Sequence, residues 1–140
     1  MGEYTKGRTF LGRLPKGGDL LQELTKVVRE NNIETGVFML IGAVEKAKFG
    51  YYLQDEREFF FKEIDEHLEI VSCKGNISLL NGEPFVHAHI IVSDENGNTY
   101  GGHLSEETTI FAAEYFIQEL IGEKLERTFD KKTGLSLWSM

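Results

Sequence analysis

The sequence predicts an α+β domain in which one amphipathic helix lies on a sheet of strands joined largely by hairpins. Three observations carry this. Residues 19 to 30 show the clearest helical repeat in the chain; most of the remainder breaks into strand-length runs bounded by Gly, Asn and Asp; and two of the breaks, Asn81-Gly82 and Asp94 to Asn98, read as hairpin turns. A chain of 140 residues, 41% of them hydrophobic, is long enough for one core that buries about two-thirds of its unfolded surface.

In chain order, residues 1 to 6 carry no pattern and are expected to be a ragged start, with a single domain over residues 7 to 140. Arg8 to Leu14 reads as a strand with Phe10, Gly12 and Leu14 on one face, stopped by Pro15-Lys16-Gly17-Gly18. Asp19 is placed to cap the helix, with Gln22 three residues on, and Leu20, Leu21, Leu24, Val27 and Val28 form its apolar stripe. Asn31-Asn32 supplies residues that tolerate a left-handed cap. Gly36 to Leu53 is strand material, and its run Val37-Phe38-Met39-Leu40-Ile41 predicts burial on both faces, with a bend at Gly42.

Phe59-Phe60-Phe61 stands between charged turns and reads either as core or as a subunit contact. Leu68 to Leu80 is a long strand with a bulge or a close backbone approach expected at Gly75. Thr109 to Leu120 fits both templates: Ile110, Ala113, Glu114, Ile117 and Ile121 suit a helix, Phe111, Ala113, Tyr115 and Ile117 a strand. Aromatic and β-branched enrichment tips it to strand. Gly122 and Gly134 punctuate the last stretch, and Leu135 to Trp138 closes it as a short strand.

The segment Phe85 to Leu104 holds three of the four histidines. Alternation along a strand puts His87 and His89 on one face and Val86, Ala88, Ile90 and Val92 on the other. The direction of His103 depends on the turn. A three-residue loop Glu95-Asn96-Gly97 pairs His89 with His103 and keeps the apolar face apolar on both strands. A two-residue Asn96-Gly97 loop slips the register by one and sets Leu104 against His89. The face patterns select the first register, in which three imidazoles converge.

The formal charge of −8 repels phosphate backbones and anionic lipid, so nucleic acid and membrane are not expected partners. The single Cys73 cannot form an internal disulfide and reads as a small buried hydrophobe. No apolar run reaches the length of a signal peptide or a membrane span, and a cytoplasmic protein is the expectation.

Several segments together resemble the plants-and-prokaryotes-conserved (PPC) domain family: Gly12-Arg13-Leu14-Pro15-Lys16-Gly17, Ile41-Gly42-Ala43, Leu68-Glu69-Ile70, Gly75-Asn76-Ile77-Ser78, Gly82 to His89 and Gly101-Gly102-His103-Leu104. The ending Phe129 to Leu135 is similar to stand-alone archaeal and bacterial members. The resemblance implies an α+β fold with a largely antiparallel mixed sheet flanked by helix, a homotrimer, and a metal, usually zinc, at His87, His89 and His103. Family labels also speak of DNA binding. In plant relatives that role rests with arginine-glycine-arginine-proline hooks before the domain, whereas here Lys6-Gly7-Arg8 is shorter and no Pro follows.

Register and resemblance together make His87, His89 and His103 the expected ligands of zinc or another divalent transition metal. Three histidines leave a fourth position for water or substrate, and zinc-bound water can reach a pKa of about 7. Two uses follow: a regulatory protein that binds a small molecule or a protein partner, or a metal-dependent hydrolase. For the latter the candidate acid or base residues are Glu69 and Glu114, which otherwise read as strand carboxylates facing solvent. His67, in an acidic turn, reads as a surface residue. Gly101-Gly102 reads as room for a neighbouring chain or ligand to approach His103. Arg8, Arg13, Lys16, Lys46 and Lys48 are the cations close enough in sequence to form a basic face.

Overall fold

Asp19 caps the one helix of the described residues. Its Oδ1 accepts the amide of Gln22 at 2.9 Å, while Oδ2 accepts the amides of Glu107 at 2.6 Å and Thr108 at 3.1 Å, so the cap also ties the helix to the sheet. In the computed structural model, which describes residues 2–139, the elements are β1 (Thr5–Leu14), α1 (Leu20–Glu30), β2 (Gly36–Leu53), β3 (Glu58–Ile64) and β4 (Leu68–Leu80). They continue with β5 (Glu83–Ser93), β6 (Thr99–Leu104), β7 (Thr109–Ile121), β8 (Glu126–Asp130) and β9 (Leu135–Trp138). The helix ends as Asn32 turns left-handed at φ 51°.

Leu20, Leu24 and Val28 are fully buried on one stripe, each worth about 1.5 to 3 kcal/mol of transfer free energy. They share a core with Phe38, Leu40, Cys73, Ile77, Val86, Ala88, Ile90, Leu104, Ile110 and Ile117. The sheet order is β1-β7-β2-β6-β5-β4-β8-β9, with β3 on β2 and a further β2–β4 pairing. Every pairing is antiparallel except β4 with β8, so the sheet is mixed and largely antiparallel as expected. Because β2 pairs with β4 and also reaches it through β6 and β5, those four strands close on themselves.

Two expectations change, and two open alternatives resolve within what the sequence offered. β1 starts at Thr5, paired with Ile121, so residues 5 and 6 belong to the sheet rather than to a ragged start. Residues 109 to 120 lie within β7, which settles the ambiguity in favour of strand. The run Val37 to Ile41 is not buried on both faces: Phe38 and Leu40 point into the core, while Val37, Met39 and Ile41 are 45%, 59% and 60% exposed. Its second apolar face lies on the side of the sheet without a helix. At Gly75 it is close approach that operates, since a Cβ there would collide with the carbonyl oxygen of His87 across the β4–β5 ladder. The irregularity in β4 falls instead between Ile70 and Ser72.

Candidate functional site

The loop after β5 is held by one side chain. Asp94 Oδ1 accepts the amides of Asn96 and Asn98 at 2.9 Å each, Oδ2 accepts the side-chain amide of Asn98 at 2.9 Å, and these bonds hold the carboxyl below its ordinary range. Gly97 sits at φ 80° and donates its amide to the Asp94 carbonyl at 3.1 Å, while the Asp94 amide reaches the Asn98 carbonyl at 3.0 Å. The three-residue loop so fixed pairs Ser93 with Thr99, Val92 with Tyr100, Ile90 with Gly102 and His89 with His103.

That register brings three imidazoles together. The ring centroids of His87 lie 5.3 Å from His89 and 5.0 Å from His103, with 5.6 Å between His89 and His103. Each ring offers one nitrogen such that all three lie within 4.8 Å of one another. Tetrahedral zinc with bonds of about 2.0 to 2.1 Å needs nitrogens roughly 3.4 Å apart, so the set would have to draw closer around an ion. His87 and His103 are half-buried, and His89 is exposed. Burial, followed by the neighbouring His103, Arg127 and His89, lowers His87 to about 4. Burial, His89 and Arg127 likewise lower His103. Both rings are therefore neutral at neutral pH with a lone pair to give, the form that ligates a metal.

The histidines form one wall of a pocket of about 650 Å³ whose other sides include Tyr51, Tyr52, Phe59, Phe85, Leu135 and Leu137. Phe59 places its ring centroid 5.1 Å from that of His103, giving one of the three clustered phenylalanines a place in the site. Arg127, on β8, also lines the pocket. Its guanidinium donates to Ser78 Oγ at 2.8 Å, Asn76 Oδ1 at 2.8 Å and the Ser136 carbonyl at 3.0 Å, and a terminal nitrogen stands 3.5 Å from Nδ1 of His87. Phe85 and Trp138 stack on it, with ring centroids 5.3 Å and 5.6 Å away. It is 8% exposed and, among the described residues, makes no ion pair.

Glu69 and Glu114 do not join this site. Glu69 is exposed opposite Ala43 and Ser93 and lines a separate cleft with His67 and Phe111, while Glu114 is exposed between Arg13 and Ile41. No Asp or Glu is among the residues lining the histidine pocket. Gly101 and Gly102 admit the chain's own backbone: a Cβ on Gly102 would collide with the carbonyl oxygen of Gly50 on β2. Cys73 is fully buried and its thiol is pushed up to about 12 by that burial, which leaves it inert. Of the five clustered cations, Arg8 is bonded to Glu119, Lys16 to Glu45, Lys46 to Glu63 and Lys48 to Glu107, and Arg13 lies opposite Glu114. Sequence reasoning missed Arg127 and Phe59. The alternation Arg127-Thr128-Phe129 before a turn at Gly134 was the signal available for the first.

A family model described as the Plants and Prokaryotes Conserved (PCC) domain matches residues 1–121. The metal-containing protein from Archaeoglobus fulgidus is 41% identical with a TM-score of 0.95, covering all of this chain and 99% of that one. A plant- and prokaryote-conserved (PPC) protein from Pyrococcus horikoshii is also 41% identical, with a TM-score of 0.94 over all of this chain and 96% of that one. Other solved structures of the same fold carry a provisional DNA-binding label, which speaks of those proteins. A bifunctional protein GlmU of Synechococcus is 31% identical over 129 residues, 91% of this chain, and the chain spans about a fifth of the length of the curated relatives it matches.

Proposed function

The chain belongs to the Plants and Prokaryotes Conserved (PCC) domain family, and from that premise we propose that it is a cytoplasmic, homotrimeric metal protein that binds a small molecule at a three-histidine centre. His87, His89 and His103 hold a divalent transition ion, with zinc the best match to a neutral imidazole set. The observation that carries this reading is the convergence of their three ring nitrogens within 4.8 Å beside a pocket of about 650 Å³. An ion held by these three nitrogens would leave room for a ligand from the pocket they line. The metal-containing relative from Archaeoglobus fulgidus supports the same reading.

Ligand binding in a regulatory role is better supported than hydrolysis, because no carboxylate lines the pocket to serve as acid or base. Direct DNA binding is the weakest of the three readings, since four of the five clustered cations are already ion-paired in a chain of net charge −8. No helix of the described residues is long and apolar enough to cross a membrane.

The trimer reading is supported by the helix-free face. Leu11, Phe116, Met39, Lys74, His89 and His103 are successive cross-strand partners over six strands, so they form one row on one face. Leu11 is 77% exposed, and Val37, Ile41, Val71 and Ile91 add further exposed apolar surface to the same side. Exposed apolar side chains gathered on one face are what a protein contact would cover, and His89 and His103 lie in the same row.

The test is elemental analysis of the purified chain and of its His87→Ala, His89→Ala and His103→Ala variants. About one ion per chain is expected for the parent and a small fraction of that for each variant. Full metal content in any of the three variants overturns the centre.

A further inference from the structure

Among the described residues, Arg127 is a buried cation without a counter-charge, and it borders the same pocket as the three histidines. Arginine stays protonated and offers only donors, so its charge cannot be removed by titration near neutral pH. Its three short hydrogen bonds go to a hydroxyl, an amide oxygen and a backbone carbonyl, all neutral acceptors. Beside it, the neutral imidazoles bring no negative charge to offset a divalent ion. With the proposed ion bound, the pocket would carry positive charge from two sources, and its lining residues include no acid. Burying charge is costly unless an opposite charge or a full set of hydrogen bonds compensates it.

The remaining walls define the rest of the occupant. Tyr52, Phe59, Phe85, Leu135 and Leu137 present aromatic rings and aliphatic side chains. A bare inorganic anion would leave them wet, and a polyanion would find a single cationic side chain to meet it. We infer that the pocket binds a small organic monocarboxylate, its carboxylate held between Arg127 and the metal and its apolar body against the wall of Phe59, Phe85 and Leu137. The inference rests on the metal reading of the same pocket for one of its two positive charges. Arg127, Leu135 and Leu137 come from the β8–β9 hairpin, which lies beyond the residues 1–121 matched by the family model.

The experiment uses the full chain loaded with zinc, its metal content measured by elemental analysis in the same sample, and calorimetric titration with three probes: benzoate, benzamide and inorganic phosphate. Benzoate is expected to bind at least tenfold more tightly than either benzamide, which has the ring without the charge, or phosphate, which has charge without the ring. Arg127→Gln should lower benzoate affinity by about 10- to 100-fold, the range for losing a charged hydrogen bond, with zinc content unchanged; Arg127→Lys should restore part of it. Equal binding of benzoate and benzamide overturns the inference, as does equal binding of benzoate and phosphate, or unchanged benzoate affinity in a metal-replete Arg127→Gln chain. Should that variant fail to fold, because Arg127 also ties β8 to β4, the three-probe comparison on the parent chain decides alone. Absence of zinc in the parent sinks the metal reading instead, and the benzoate–benzamide comparison on that metal-free chain still reads the contribution of Arg127.

Discussion

His89 and His103 are direct partners across the β5–β6 ladder, their rings nearly perpendicular at 79° with centroids 5.6 Å apart. One loop sets that pairing. Inserting a single residue between Glu95 and Gly97 is expected to shift β6 by one position and turn His103 toward the core. Metal content by elemental analysis should then fall to background while far-ultraviolet circular dichroism keeps its strand signal. Retention of a full complement of metal would show that the register does not define the centre.

Acid should act through His87. Its folded value of about 4 lies below the ordinary 6.5, so between these pH values the unfolded chain takes up a proton that the folded chain refuses. Stability from this group is fully present above about pH 6.5 and is lost as pH falls toward 4. The lowered His103 acts in the same direction. Melting temperatures of the metal-free chain are expected to drop across that window, and His87→Gln should flatten the drop. Bound metal competes with the same protons, so holo protein should melt higher than apo protein at pH 7, with the gap closing in acid.

Met39 lies on the helix-free face between Phe116 and Lys74 and is 59% exposed. Met39→Glu should therefore leave the monomer fold intact and break the assembly. Light scattering at tens of micromolar is expected to report three chains for the parent and one for the variant. A parent mass of one chain would refute the trimer.

Any side chain at position 75 meets the carbonyl of His87. Gly75→Val is expected to push β5 away from β4 and cost at least about 1 to 3 kcal/mol, the usual range for overpacking, seen as a lower urea midpoint. Metal affinity should fall as well, because His87 moves with its carbonyl. An unchanged midpoint would mean that the two strands separate freely.

A mobility-shift titration with duplex DNA at physiological salt is expected to show no complex at micromolar protein, given the charge of −8 and the paired cations. A shift that weakens as salt rises would reverse this.

Much of the site was legible because local rules wrote it. The Asp94 to Asn98 loop, the alternation of β5 and the need to keep Leu104 off the His89 face together determine where three imidazoles point. Arg127 was hidden because its strand pairs in parallel with Leu79 and Leu80 of β4, and no turn signal links two such distant stretches. Glu69 and Glu114 were candidates through their apolar neighbours, which placed them on strands but gave no position across the sheet. The continuous apolar run of β2 has two faces, and its composition does not distinguish a face covered by the chain's own helix from one left for another molecule.

The histidine hairpin also bears on the order in which the chain assembles. His87, His89 and His103 become neighbours once a single local loop closes, whereas the pairing of Gly50 with His103 and of β2 with β7 must bring together stretches more distant in sequence. Contacts of short sequence separation cost less loop-closure entropy, so the cradle is expected to form before the ring of strands to which β5 and β6 belong is closed. An ion captured at that stage would nucleate the remaining sheet, and zinc added before refolding should shorten the refolding time more than zinc added after it.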